Sequence, residues 1–167
     1  MKVQDIFTRD AKSCRPETNL SAAASIMWDN DCGIVPVTDA GGKVIGVLTD
    51  RDICMAAATQ NRRASEIRVS EIMSGRLSTC GPDDDVRSAL KTLRTAQVRR
   101  LPVVDAEGRL QGLLSLNDVV LAVRDGKGTR PGEPTSEDVT LTLKAICAHR
   151  TRGETKVPEE ALAGRWD

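Results

Sequence analysis

The sequence predicts a mixed α/β (α+β) fold built from two pseudo-twofold-related repeats. Each repeat runs β-α-β-β-α, the two pack through their sheets, and a C-terminal helix follows. Three observations predict it. The 167-residue chain overlays on itself without a gap at an offset of 66 positions, Ile6 falling on Ile72. Both copies carry a helical apolar stripe followed by two short apolar strands. Beyond residue 125 the composition shifts to glycine, proline and charge before one last helical stretch.

The overlay preserves punctuation as well as hydropathy. Cys14 meets Cys80, Pro16 meets Pro82, Pro36-Val37 meets Pro102-Val103, and Asp39-Ala40 meets Asp105-Ala106. Gly42, Gly46 and Leu48 meet Gly108, Gly112 and Leu114, while Thr49 and Asp52 meet Ser115 and Asp118. The expected boundaries are 1–66 for the first repeat and 67–125 for the second, with a linker, short helix and polar tail over 126–167.

Each element has a local reason. The polar clusters RPETN and GPDDD carry helix-start chemistry. Leu20, Ala23, Ala24 and Met27, and then Val86, Ala89, Leu90 and Leu93, keep the i, i+3, i+4, i+7 spacing of a buried stripe. GIVPVTD and RRLPVVD read as strands, turned by AGG and AEG with glycine where positive φ is needed. KVIGVLT and RLQGLLS return as strands, and DICMAAAT and DVVLAVRD close the repeats as helices. A unit of about 55 residues is marginal alone, so the two are expected to share a core. DGKGTRPGEP reads as a linker, and SEDVTLTLKAICAHR as a helix capped by Thr135 or Ser136.

Composition narrows the function. Lys and Arg total 24, as do Asp and Glu, so charge gives no case for nucleic acid or an anionic membrane. Phe7, Trp28 and Trp166 are the only aromatic residues, too few for a base-stacking platform. Trp28 is expected at a helix periphery, either on a dimer face or at a partly covered core edge. Five cysteines without a C-x-x-C suit small buried thiols in a reducing compartment better than a disulfide frame or zinc site. The single histidine, His149, reads as an exposed residue at a helix end. No membrane-length apolar run or signal-peptide core is visible, and a cytoplasmic protein is expected. No nucleophile–base constellation, P-loop, G-x-G-x-x-G or metal-ligand spacing is visible either, so no enzyme, catalytic cofactor or metal is expected.

The stretch GVLTDRDIC, residues 46–54, runs a strand into a helix, with Thr49 at the junction and Asp52 three positions on. The pair is close to a capping box, and an acid there also suits the helix dipole. The carboxylate can also hold something other than the cap. The two roles are compatible, and both stay open for Thr49–Asp52 and Ser115–Asp118.

The tandem repeat, the CGIVPV and RRLPVVD strands, the GVLTDRD and GLLSLND elements, and Glu71-Ile72-Met73 before the second copy together resemble a pair of CBS domains, a Bateman module, over roughly residues 1–125. The resemblance implies a regulatory ligand-sensing module, a homodimer, and a cleft between the repeats. Such clefts bind adenosyl compounds: AMP, ADP, ATP or S-adenosylmethionine. In such modules the acid holds ribose, the hydroxyl touches ribose or phosphate, and the strand before the proline of the other repeat frames adenine.

Carried over by position, the first cleft uses Ser115 and Asp118, faced by Thr18 and the segment Cys32, Gly33, Ile34, Val35 and Pro36. Arg100 falls where a phosphate-binding arginine stands in related modules. The second cleft uses Thr49 and Asp52, faced by Asp84, Val98, Arg99 and Pro102. Ile34 takes the place of Arg100 there and Asp84 that of Thr18, so the second cleft is expected to be the weaker. Beside this reading stands a dimerisation or interaction scaffold that binds no ligand. The regulated partner protein is not named by the sequence.

Overall fold

The computed structural model describes residues 1–123 and 133–148. A 3-10 turn, Val3–Asp5, precedes the two-residue strand β1 (Thr8–Arg9). Then follow α1 (Leu20–Asp29), β2 (Ile34–Thr38), β3 (Val44–Thr49) and α2 (Asp50–Thr59). A 3-10 turn, Ala64–Glu66, ends the first copy, and the second opens with α3 (Val69–Ile72). It continues through α4 (Val86–Ala96), β4 (Arg100–Val104), β5 (Leu110–Ser115) and α5 (Leu116–Ala122), and α6 (Ser136–Cys147) comes last.

The local signals act as expected. Asn19 and Asp85 cap α1 and α4, their side-chain oxygens each accepting a backbone N–H at 2.9 Å. Of the two stripes, Leu20, Ala23 and Met27 are buried in α1, and Val86, Ala89, Leu90 and Leu93 in α4. Ala24 is only half-buried. Gly42 and Gly108 both turn with φ near +80°, at +80° and +81°. Thr135 rather than Ser136 caps α6. The segment DVVLAVRD is helical only to Ala122. Residues 124–132, which include most of the linker DGKGTRPGEP, and His149 and Trp166 lie outside the described residues.

β2 pairs antiparallel with β3, and β4 with β5, with the same register shift after Val37 and after Val103. The hairpin tips touch through the Lys43–Arg109 bridge, where Val44 N–H donates to the Gly108 carbonyl at 3.0 Å.

The leading segments change places. Val3 N–H donates to the Asp84 carbonyl at 2.9 Å, and Val69 N–H donates to the Thr18 carbonyl at 2.8 Å. Val3 is buried in the core of the second repeat, with Leu90, Leu93 and Leu101. Ile67 and Val69 are buried in the core of the first, with Leu20, Val35 and Leu48. β1 correspondingly joins β5, Thr8 opposite Leu113, and Ser74 bridges to Val47 on β3. The expectation of a shared core is therefore corrected. The buried apolar residues form two clusters, and the repeats are joined because each closes its cluster with the other's leading segment. Burying a large aliphatic side chain contributes about 1.5–3 kcal/mol, so three such residues make a substantial tie.

The exchange explains the glycine before each hydroxyl motif. A Cβ at Gly112 would lie 2.2 Å from the Thr8 carbonyl oxygen, and one at Gly46 would lie 3.0 Å from that of Ser74. These glycines admit the crossing backbone.

α6 lies across α4 and α5. Val139 and Ile146 pack on the second core, Arg87 pairs with Asp138 at 3.2 Å, and the hydroxyl of fully buried Thr142 donates to the Asp138 carbonyl at 2.8 Å.

Candidate functional site

Thr49 and Asp52 form a complete capping box. Asp52 Oδ2 accepts from the Thr49 N–H at 2.9 Å and from its hydroxyl at 2.7 Å, while Asp52 N–H donates to Thr49 Oγ1 at 3.2 Å. Ser115 and Asp118 repeat the geometry at 2.7, 2.7 and 3.2 Å. Thr135 and Asp138 do so a third time, at 3.0, 2.9 and 3.2 Å. The third copy begins a helix outside both repeats, so the motif's hydrogen bonds are those of helix initiation. In the two repeats they engage only Oδ2. Among the described residues Oδ1 of Asp52 and of Asp118 accepts no hydrogen bond and stays available to another donor.

A cavity of about 1350 Å³ opens beside α2. Thr49, Asp50, Arg51 and Asp52 line one side, with Cys32, Gly33 and Ile34 from the entry to β2. From the second repeat come Gln97, Val98, Arg99, Arg100 and Pro102, and Ser74, Arg76, Leu77 and Ser78 from its segment between α3 and α4. Trp28, 87% exposed, stands on the wall with Ala24 and Met27.

This cavity brings together Thr49, Asp52, Val98, Arg99 and Pro102, the residues expected in the second cleft. It also gathers Cys32, Gly33, Ile34 and Arg100, which were expected in the first. Thr18, Val35, Pro36, Asp84, Ser115 and Asp118 do not line it. The strand register accounts for the double position of Arg100. It stands opposite Ser115 in the β4–β5 pair, as Ile34 stands opposite Thr49 in β2–β3, and side chains opposite one another share a face. Thr18 is occupied locally, its hydroxyl accepting the Arg15 N–H at 3.1 Å. Asp84 Oδ2 likewise accepts the Gly81 N–H at 2.7 Å. Val35 is fully buried in the first core.

Sequence reasoning missed Arg76, Ser78 and Asp50. The first two lie in a stretch without periodicity, and only the Val47–Ser74 bridge brings it alongside the cavity. The signal available was the departure from symmetry, since position 10 of the first copy is Asp where position 76 of the second is Arg.

The thiols divide by burial. Desolvation pushes the Cys14 thiol up to about 11. It pushes the symmetry-related Cys80 thiol up to about 12, the Asp84 carboxylate adding to the effect. Among the described residues no group of His, Cys, Asp and Glu is arranged to hold a metal ion, and no helix is long and apolar enough to cross a membrane.

The CBS domain family model matches twice, over residues 3–59 and 69–125. This chain belongs to the CBS domain family, as a tandem pair. The CBS domain-containing protein YhcV of Bacillus subtilis (strain 168) is 34% identical over 119 residues, 71% of this chain and 83% of that protein. Among solved structures, CBSX2 in complex with AMP is 25% identical at a TM-score of 0.63, covering 72% of this chain and 94% of that one. The CBS pair of MJ0100, in complex with 5′-methylthioadenosine and S-adenosyl-L-methionine, is 25% identical at a TM-score of 0.66, covering 73% and 98%.

Proposed function

We propose that this CBS pair is a regulatory rather than a catalytic module. It takes an adenine nucleotide or another adenosyl compound into the cleft between its repeats and passes the occupancy to a partner protein. One observation carries the reading. Within a single cavity, Thr49 and Asp52 of the first repeat face Val98, Arg99, Arg100 and Pro102 of the second. Asp52 offers an uncommitted Oδ1 to a ribose diol, and Val98 and Pro102 offer apolar surface to a base. The related pairs that hold AMP, or methylthioadenosine and S-adenosylmethionine, support the same ligand class. The weight between clefts is the reverse of the sequence expectation, with Thr49–Asp52 as the principal seat and Ser115–Asp118 as the second.

Gln97 supplies a route outward, since it lines the cavity and its side chain holds α6. Occupancy would then bias how α6 sits on α4, a shift in population set by the ligand's different affinity for the two arrangements. Exposed Trp28 and Met55 in the first repeat, and Val120 and Leu121 in the second, support association into a homodimer.

Isothermal titration of the full chain with AMP, ADP, ATP and S-adenosylmethionine, repeated on Asp52→Ala and Asp118→Ala, tests the reading. Saturable binding lost in Asp52→Ala and kept in Asp118→Ala is expected. Absence of binding at millimolar ligand would leave the scaffold reading, which the same exposed apolar side chains favour.

A further inference from the structure

We infer that the face of α4 beneath α6 is a docking site for a partner's helix, that α6 is its exchangeable resident, and that the partner's helix carries a carboxylate for Arg94. This gives the class of the partner in the reading above and rests on that reading only for the existence of a partner. It needs no ligand in the cleft.

α6 is tied to α4 near both ends. Arg87 pairs with Asp138 at 3.2 Å, and the Gln97 side chain donates to the Ala145 carbonyl at 2.9 Å. The two helices therefore run in the same direction. Between the ties, helical spacing brings Arg94 of α4 to the seam, and Leu141 and Thr142 of α6 stand at its level.

The ends of the seam are satisfied and the centre is not. Arg94 is half-buried, and its Nε is closed off from solvent without a hydrogen-bond partner. Among the described residues no ion pair reaches it, whereas Arg62, Arg87 and Arg109 each hold a carboxylate. Leu141 has no side-chain acceptor, and the Thr142 hydroxyl donates to the Asp138 carbonyl at 2.8 Å. A buried guanidinium donor without an acceptor is costly, and a carboxylate is the acceptor that suits it best.

The fold demands neither this arginine nor this helix. At the 66-residue offset Arg94 falls on Trp28, which is 87% exposed on α1. There α1 meets the short Ala64–Glu66 turn instead of a long helix, and the first core is closed nonetheless. The buried members of the second core all come from residues 3–119, and α6 adds only the partly buried Val139 and Ile146 at its margin. An occupant that shields a margin and leaves a guanidinium unmet gives way to one that meets it. The partner that fits is an amphipathic helix laid along α4, with Asp or Glu at the level of Leu141 or Thr142.

The test uses the full chain without nucleotide and three fluorescent synthetic peptides of residues 133–148: the parent sequence, Leu141→Glu and Thr142→Asp. Anisotropy reads binding, and hydrogen exchange over residues 136–147 of the chain reads displacement of its own α6. The resident helix competes equally with all three peptides, so affinities are compared as ratios. An acid peptide is expected to bind at least about tenfold tighter than the parent peptide and to quicken exchange in the chain's α6. In Arg94→Gln that advantage falls to about threefold or less, and Arg94→Lys, which keeps the charge, restores part of it. Acid peptides no tighter than the parent, an advantage that survives Arg94→Gln, or binding that leaves exchange in α6 unchanged overturns the inference. Absence of binding at millimolar peptide also overturns it, making α6 a fixed part of the fold. The adenosyl reading stands or falls separately, by the titrations above.

Discussion

Gln97 donates from Nε2 to the Ala145 carbonyl at 2.9 Å, so a residue of the cavity wall holds the last turn of α6. Gln97 is also the left-handed residue that ends α4, at φ 52°. Gln97→Ala keeps that strained conformation and removes the tie, at a cost of about 1 kcal/mol. Hydrogen exchange should quicken over residues 136–147 and change little in β2 and β3. Unchanged exchange in α6 would show that the bond does not hold it.

Gly112 and Gly46 answer to the same constraint with different clearances. Gly112→Ala would drive a methyl into the Thr8 carbonyl, where the gap is 2.2 Å, and should destabilise by about 3 kcal/mol. Gly46→Ala, with 3.0 Å to the Ser74 carbonyl, should cost about 1 kcal/mol. Urea denaturation of both variants gives the order, and equal losses would contradict the account of the crossing strand.

The three capping boxes separate helix initiation from ligand binding. Thr49→Ala, Ser115→Ala and Thr135→Ala should each cost about 1 kcal/mol in thermal or urea unfolding. Thr49→Ala alone should strongly weaken nucleotide binding. Loss of binding in Thr135→Ala to the same degree would mean that the effect is one of stability.

Acid should release α6. The Asp138 carboxyl sits below its usual range, chiefly because it accepts the Thr135 N–H and hydroxyl, with Arg87 nearby adding to the effect. A carboxyl depressed in the folded state contributes stability above its unfolded value of about 3.9, and that stability is lost as pH falls through the lower folded value. Circular dichroism and exchange over α6 between pH 5 and 2.5 should show loosening below about pH 4, reduced in Thr135→Ala.

Alkylation should sort the thiols. With values near 11 and 12, Cys14 and Cys80 hold little thiolate at pH 8 and are buried besides. Cys54 and Cys147 are exposed and should react first with iodoacetamide, as mass spectrometry of a time course would show. Early labelling of Cys80 would mean that the second core opens readily.

The Thr49–Asp52 and Ser115–Asp118 pairs were legible because capping is local: a hydroxyl and an acid three residues apart meet whatever surrounds them. The stripe of α4 was legible for the same kind of reason, helical spacing putting Val86, Ala89, Leu90 and Leu93 on one face. Arg76 was not legible. It lies in a stretch with no period, and nothing near it in sequence says that Ser74 will pair with Val47. Arg100 was grouped with Ser115 by the family resemblance, and the strand register sets it opposite Ser115. Its position on the wall of the Thr49–Asp52 cavity depends on how the two repeats meet.

The sequence by itself determined the repeat, the order of elements, their caps and turns, and the apolar face of each. These follow from spacing of a few residues along one chain. Tertiary structure decided which core each leading segment enters and which cleft receives the arginines. The physical reason is that an apolar face must be covered without naming what covers it. In a chain with two similar copies, Val3 matches the first repeat's core as well as the second's. Only the three-dimensional path of the backbone, with Val3 bonded to Asp84 and Val69 to Thr18, selects the exchange.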